Sequence, residues 1–275
     1  MNTGKRRLAK QAVKKIVEYS PDAITAVNRF TAKVFRTRGG RIGSGMGGVI
    51  EALWGFYMNA VISKNDDCSF ELGWITGHEY NDFACIMKDD NWDPDTRAGE
   101  LFRVEVKSMV SAADESKAHF DRLQNELMDN ELLAVFLWNW VQDGKKKKTV
   151  YPKITDHFVG LAMPVARLRD DLHVARGGKF VQPGACPDNC SSTNCRHVGE
   201  PLNASGKRER KSGPNRCKGS NISYSANFGG LLRMLGSRGK IGRQILKKHY
   251  ASDETAARFL AFMARNFSRV EKALR

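Results

Sequence analysis

The stretch ELFRVEVKSMV, Glu100–Val110, decides how this chain is read. Phe102, Val104 and Val106 alternate with Arg103, Glu105 and Lys107. That is the period of a β-strand, so the three charged side chains share one face. A carboxylate and an ammonium two residues apart on a strand make either a solvated outer face or a chemical site. The flanking segments weigh between the two.

Upstream, CSFELGWI (68–75) and DFACIM (82–87) read as strands, and the polar KDDNWDPDTRAG (88–99) reads as a turn or loop. Downstream, a helix is expected over 112–130, capped by Ser111, with Phe120, Leu123 and Leu127 packed inward. ELLAVFLWNW (131–140) is a continuous apolar run, the mark of a strand covered on both faces. Strand, helix and strand then form a right-handed crossover. DGKKKKTVYP reads as an exposed basic loop, DHFVGLAM as a further strand, and PVARLRDDLHVA as a helix opened by Pro164.

Toward the N-terminus, residues 5–36 read as two helices, the second with Ser20 as N-cap and Pro21 at its first position. The glycine-rich RTRGGRIGSGMGG lacks the Lys-Ser/Thr ending of a phosphate-binding P-loop. A third helix is expected over 46–63, with Val49, Leu53, Tyr57 and Val61 on one stripe. Near the C-terminus a helix is expected from Ser252, with Phe259, Met263 and Phe267 on one stripe. The fold class is α/β, a mixed central sheet flanked by helices. The expected organisation is a helical N-terminal region and core over 1–176, a Cys-rich basic insert over 177–222, and a helical region over 223–275.

The 275 residues can bury a sizeable core without disulfides. Forty-five Lys and Arg against 30 Asp and Glu give a net charge of +15, which argues for a polyanionic partner, most simply nucleic acid. No apolar run approaches the ~18 residues that would suggest a membrane span. The basic N-terminus has no apolar secretory core, so a cytoplasmic protein with reduced thiols is expected.

Asp82 opens one strand, and Glu105 and Lys107 share a face of the next. If those strands are neighbours, the two acids converge at a strand end and invite a hard divalent cation with oxygen ligands, such as Mg²⁺. Such an ion polarises a phosphoryl oxygen and generates hydroxide from bound water. On the third helix Gly47, Glu51, Gly55 and Asn59 stack on one ridge, four residues apart. Glycine costs about 1 kcal/mol inside a helix, so this ridge implies a close approach. The glycines serve either helix packing or access to Glu51. Glu71 and Glu79 are weaker rivals for an acidic role.

Asn81-Asp82 followed by Glu105-Val106-Lys107 resembles the PD-(D/E)xK nuclease signature found in type II restriction endonucleases. The resemblance covers roughly residues 46–163, including the order of helix, acid-bearing antiparallel strands, helix and strand. It implies a restriction-endonuclease-like fold, with Asp82 and Glu105 as Mg²⁺ ligands, Lys107 as the catalytic lysine and Glu51 as a further ligand. The family's proline before the first acid is Asn81 here.

Of six cysteines, Cys68 and Cys85 lie in apolar stretches and are expected in the core. Cys186, Cys190, Cys195 and Cys217 cluster in a polar region and are expected to close a structural Zn²⁺ site, with His197 able to replace any one of them. Between the last two cysteines lies a basic loop whose Arg208, Arg210, Lys211 and Arg216 are candidates to contact DNA. The lysine run 145–148 is a candidate for non-specific phosphate contact.

The expected function is Mg²⁺-dependent cleavage of double-stranded DNA at a short sequence. By the resemblance, a homodimer would match a palindromic site. A structure-specific or repair nuclease of the same fold, or a non-catalytic zinc-containing DNA-binding protein, are the alternatives.

Overall fold

The computed structural model describes residues 3–37, 45–75, 81–88, 90–111, 118–143, 146–186, 195, 197–207, 228–231, 235 and 239–274. The glycine-rich turn at 38–44, the 112–117 part of the expected helix, Glu79, Cys190, Cys217 and the arginine loop at 208–216 lie outside these residues. Contacts divide the chain into two compact units, residues 1–114 with 128–162, and 115–127 with 163–275.

The first unit is built on a five-stranded mixed sheet in the order β1-β2-β3-β4-β5. Its strands are β1 (Phe70–Trp74), β2 (Phe83–Met87), β3 (Glu100–Val110), β4 (Leu132–Asp143) and β5 (Lys146–Leu161). β1, β2 and β3 run antiparallel, β3 and β4 are parallel, and β5 returns antiparallel to β4. Helices α1 (Thr3–Val34) and α2 (Met46–Ile62) pack on the sheet. Phe102, Val104 and Val106 of β3 join Ile16, Trp54 and Phe136 in this core. By strand alternation Arg103, Glu105 and Lys107 project to the other face.

Several expectations change here. The stretch 5–36 holds one helix, Thr3–Val34, not two, with Pro21 inside it. Ser20 does not cap a helix; its hydroxyl donates back to the Ile16 carbonyl at 2.7 Å. A mid-helix proline costs about 3 kcal/mol. A buried stripe running from Ala9 through Ile16, Ala23 and Ile24 to Val27, on both sides of the proline, offsets it. On α2 the fully buried row is Met46, Ile50, Trp54, Met58 and Ile62, while Val49, Leu53, Tyr57 and Val61 flank it half-buried.

The crossover between β3 and β4 is not helical over 118–130; its regular element there is a short 3-10 turn at Gln124–Glu126. Phe120 and Leu123 are buried as expected, but from an extended segment whose Phe120 N–H bonds to Gly229. Lys146–Lys148 are not loop residues. They begin β5, in a hairpin with β4. The late helix starts at Glu254 rather than Ser252, because the Asp253 carboxylate caps it by accepting from Ala256 N–H at 2.9 Å.

In the second unit lie most of α3 (Ala162–Ala175), the ribbon β6 (Lys179–Phe180) with β7 (Pro201–Leu202), and three C-terminal helices, α4 (Lys240–Ser252), α5 (Glu254–Asn266) and α6 (Ser268–Leu274). Among the described residues no helix is long and apolar enough to cross a membrane.

Candidate active site and metal centre

β3 is not a solvated strand. Arg103 is 1% exposed and its guanidinium binds Glu100 through two nitrogens at 2.9 Å each, with a third bond to the Pro94 carbonyl at 2.8 Å. Glu105 is 3% exposed and is ion-paired with Lys107. Two neighbouring pairs therefore account for the charge on this face, and only Lys107 stays partly exposed.

Asp82 sits directly before β2, beside β3. Its Oδ2 accepts the Val106 N–H at 2.7 Å, and its own N–H donates to Val104 at 3.1 Å. The carboxylate is thus held against the segment that carries Glu105 and Lys107.

Glu51 arrives from α2. The glycine ridge explains how. A Cβ on Gly47 would stand 2.6 Å from Ser108 Oγ, and one on Gly55 would stand 2.3 Å from the Phe83 ring. One turn further, the Asn59 amide donates to and accepts from the Leu72 backbone, both at 2.8 Å. The helix is thereby pressed onto β1, β2 and β3, and Glu51 hydrogen-bonds Ser108, the residue after Lys107. Packing and access to the acid are the same device here, not alternatives.

Electrostatics tie the four groups together. Burial pushes the Glu51 carboxyl up, and the Asp82 charge pushes it further, against the opposing effects of Lys107 and Ser108. Burial also raises Asp82, partly offset by Lys107 and the Val106 N–H. Burial alone would lower Lys107, but Glu105, Asp82 and Glu51 hold its ammonium above the ordinary lysine range. Negative charge thus accumulates around one lysine. Glu71 is exposed on the edge strand and takes no part.

The three carboxylates do not form a tight triad. Among the described residues, the one group of three or more His, Cys, Asp or Glu ligand atoms lying within 4.8 Å of one another is Cys186, Cys195 and His197. These three could hold a metal ion. All are buried, with His197 fully so. Cys186 Sγ lies 3.0 Å from His197 Nδ1, and Cys195 Sγ accepts the His197 N–H at 3.3 Å. Two backbone bonds between Val181 and the turn at 199–200 hold the group against the β6–β7 ribbon. Cys68 and Cys85 are buried in the core of the first unit.

No protein-family model, curated protein or solved structure matches this chain.

Sequence reasoning missed Ser108 as the partner of Glu51. It also missed the Asn81 side chain, which donates to Glu131 Oε1 at 2.8 Å beside the candidate site. Neither carries a sequence signal, because both contacts join segments far apart in the chain.

Proposed function

We propose that this chain is a Mg²⁺-dependent endonuclease acting on double-stranded DNA, of the restriction type. One observation carries the reading: Glu51, Asp82, Glu105 and Lys107, brought by a helix, a strand start and the adjacent strand, share one electrostatic site. The sheet supports it: Asp82 precedes β2, Glu105 lies on the antiparallel neighbour β3, and β4 runs parallel to β3, the strand directions expected for a restriction-endonuclease-like fold, although residues 118–130 of the crossover are not α-helical.

The donor set suits a hard cation. Asp82, Glu105 and Glu51 offer carboxylate oxygens; burial raises Glu51 and Asp82, and the Asp82 charge raises Glu51 further, a cost that a bound divalent ion would relieve. The ion, when bound, supplies an activated water and polarises the phosphoryl oxygen. Lys107 carries a fixed positive charge at neutral pH, placed to steady charge that develops on the phosphate. Glu105 holds that ammonium in place.

The net charge of +15 supports a DNA partner, and a homodimer reading a palindrome follows from the restriction assignment. For the second centre we propose structural Zn²⁺, held by Cys186, Cys195 and His197 with one of Cys190 or Cys217 as the fourth ligand. That zinc would fold an apolar-poor segment and anchor the basic loop bearing Arg208, Arg210, Lys211 and Arg216.

The test is digestion of plasmid DNA in Mg²⁺ and in EDTA, followed by sequencing of the ends. Cutting in Mg²⁺ at one short repeated sequence is expected. Cutting only at branched or damaged DNA would instead make it a structure-specific or repair nuclease. Binding with no cutting would leave a zinc-containing DNA-binding protein.

A further inference from the structure

Behind Asp82 lies a buried polar pair that the site's chemistry does not use. Asn81 is 3% exposed and Glu131 is 1% exposed. Asn81 Nδ2 donates to Glu131 Oε1 at 2.8 Å, and Glu131 Oε2 accepts the Met128 N–H at 3.2 Å. Both carboxylate oxygens are engaged, so Glu131 is not a spare metal ligand. Its backbone is equally tied: the Glu131 N–H donates to Met128 at 3.0 Å, and its carbonyl accepts from Ala162, just past β5, at 2.8 Å. Glu131 is therefore a rigid post where β4 begins and β5 ends.

We propose that Asn81 and Glu131 are positioning residues that set the direction of the Asp82 carboxylate. The inference rests on the nuclease reading for what Asp82 does. Asp82 is the last residue before β2, so the residue that precedes it helps to set the direction in which its carboxylate meets the Val106 N–H. The backbone of Asp82 pairs with Val104 and Ile75, and Asn81 adds a side-chain anchor across to the far strands. A proline here, as the resembling motif has, would restrict the backbone by its ring. This chain restrains it with a buried hydrogen bond instead. Because the pair is buried, losing one partner leaves the other unsatisfied in a medium where that is costly.

The test uses the full chain and three variants: Asn81→Asp, Glu131→Gln, and the double variant carrying both. Asn81→Asp removes the donor and sets two carboxylates together, whereas Glu131→Gln leaves one acceptor oxygen for two donors, Asn81 Nδ2 and the Met128 N–H, so one of those two bonds is lost. The double exchanges donor and acceptor and restores one N–H···O contact. Affinity for Mn²⁺ is measured by calorimetry on the full chain freed of Mg²⁺ alone, well below its melting temperature, beside Mg²⁺-dependent plasmid cleavage. Partners behind a metal ligand are typically worth about 10–100-fold in affinity. Each single variant should lose about tenfold or more in Mn²⁺ affinity, with the same direction in cleavage, and the double should regain most of the Mn²⁺ affinity. Singles that melt earlier but bind Mn²⁺ as the parent does would overturn the proposal and leave a merely structural staple. A double variant no better than the worse single would overturn it too. A parent chain that binds no divalent ion and cuts no DNA would instead sink the nuclease reading, and this proposal with it.

Discussion

Glu51 and Asp82 are two half-buried acids, and the Asp82 charge acts on Glu51, which has a measurable consequence at the residue scale. Burial is the main cause of both raised values, with the Asp82 charge adding to Glu51. In the metal-free protein each folded-state carboxyl holds its proton more tightly than the unfolded one, whose pKa is about 4. The associated stability is full below that value and is lost as pH rises through the raised folded values. Glu51→Gln removes this pH-dependent part. Urea unfolding at pH 5 and pH 7.5 should show the variant gaining stability relative to the parent at the higher pH. An equal difference at both pH values would mean that Glu51 ionises freely in the fold. Gly47→Ala probes the same acid from outside: the new methyl meets only the Ser108 hydroxyl, which can rotate away, but that hydroxyl serves Glu51. Activity should fall at least severalfold while the unfolding midpoint changes little, read by cleavage rate beside a urea titration. A variant with unchanged activity would separate Ser108 from the function of Glu51.

At the scale of elements, α2 is a docking device. Gly55→Ala brings a methyl against the Phe83 ring, which Trp54 and Trp74 pack at 6.0 and 5.0 Å between centroids, so the ring has little room to yield. Overpacking costs about 1–3 kcal/mol, against a helix-propensity gain of about 1 kcal/mol from replacing glycine. The variant should be less stable by about 1–2 kcal/mol in urea unfolding. A gain in stability would show that α2 does not sit this close. The glycine ridge was legible in the sequence because glycine at helical spacing has a physical cost that demands a cause. The strands were legible too, since β3 alternates and β4 opens on the apolar run Leu132–Trp138. The crossover was not: Phe120, Leu123 and Leu127 fit a helical stripe equally well, and the backbone partner of Phe120 is Gly229, far along the chain. Nor was the single α1, where Ser20-Pro21-Asp22 has every local mark of a helix start. Its burial stripe overrides them. Two asparagines were also silent. Asn28 and Asn59 each donate to and accept from the backbone of an edge strand, at Ile154 of β5 and Leu72 of β1. They satisfy backbone groups that would otherwise invite pairing with another chain.

At the scale of the whole molecule, the net charge of +15 should make DNA affinity fall steeply with salt. Changes at Lys146–Lys148 should weaken binding similarly on all sequences and flatten that dependence, whereas Arg208→Ala, Arg210→Ala or Arg216→Ala should cost about 1–3 kcal/mol at a cognate base pair alone. Cognate and non-cognate affinities at two salt concentrations check both. An equal loss on both DNAs for all three arginines would move base reading elsewhere. Elemental analysis should find about one zinc per chain if one tetrahedral site is closed, and His197→Ala should release it. A stable, active protein free of zinc would rule that centre out. Lys107 and its three acids either do chemistry or only hold a strand together. The most direct measurement is the rate of supercoiled-plasmid cleavage in Mg²⁺ by the parent chain and by Lys107→Ala, with DNA binding measured in parallel in Ca²⁺. Cleavage by the parent, lost by at least about a hundredfold in the variant while binding persists, is the predicted result. Near-normal cleavage by Lys107→Ala, or none by the parent in any divalent ion, would contradict it.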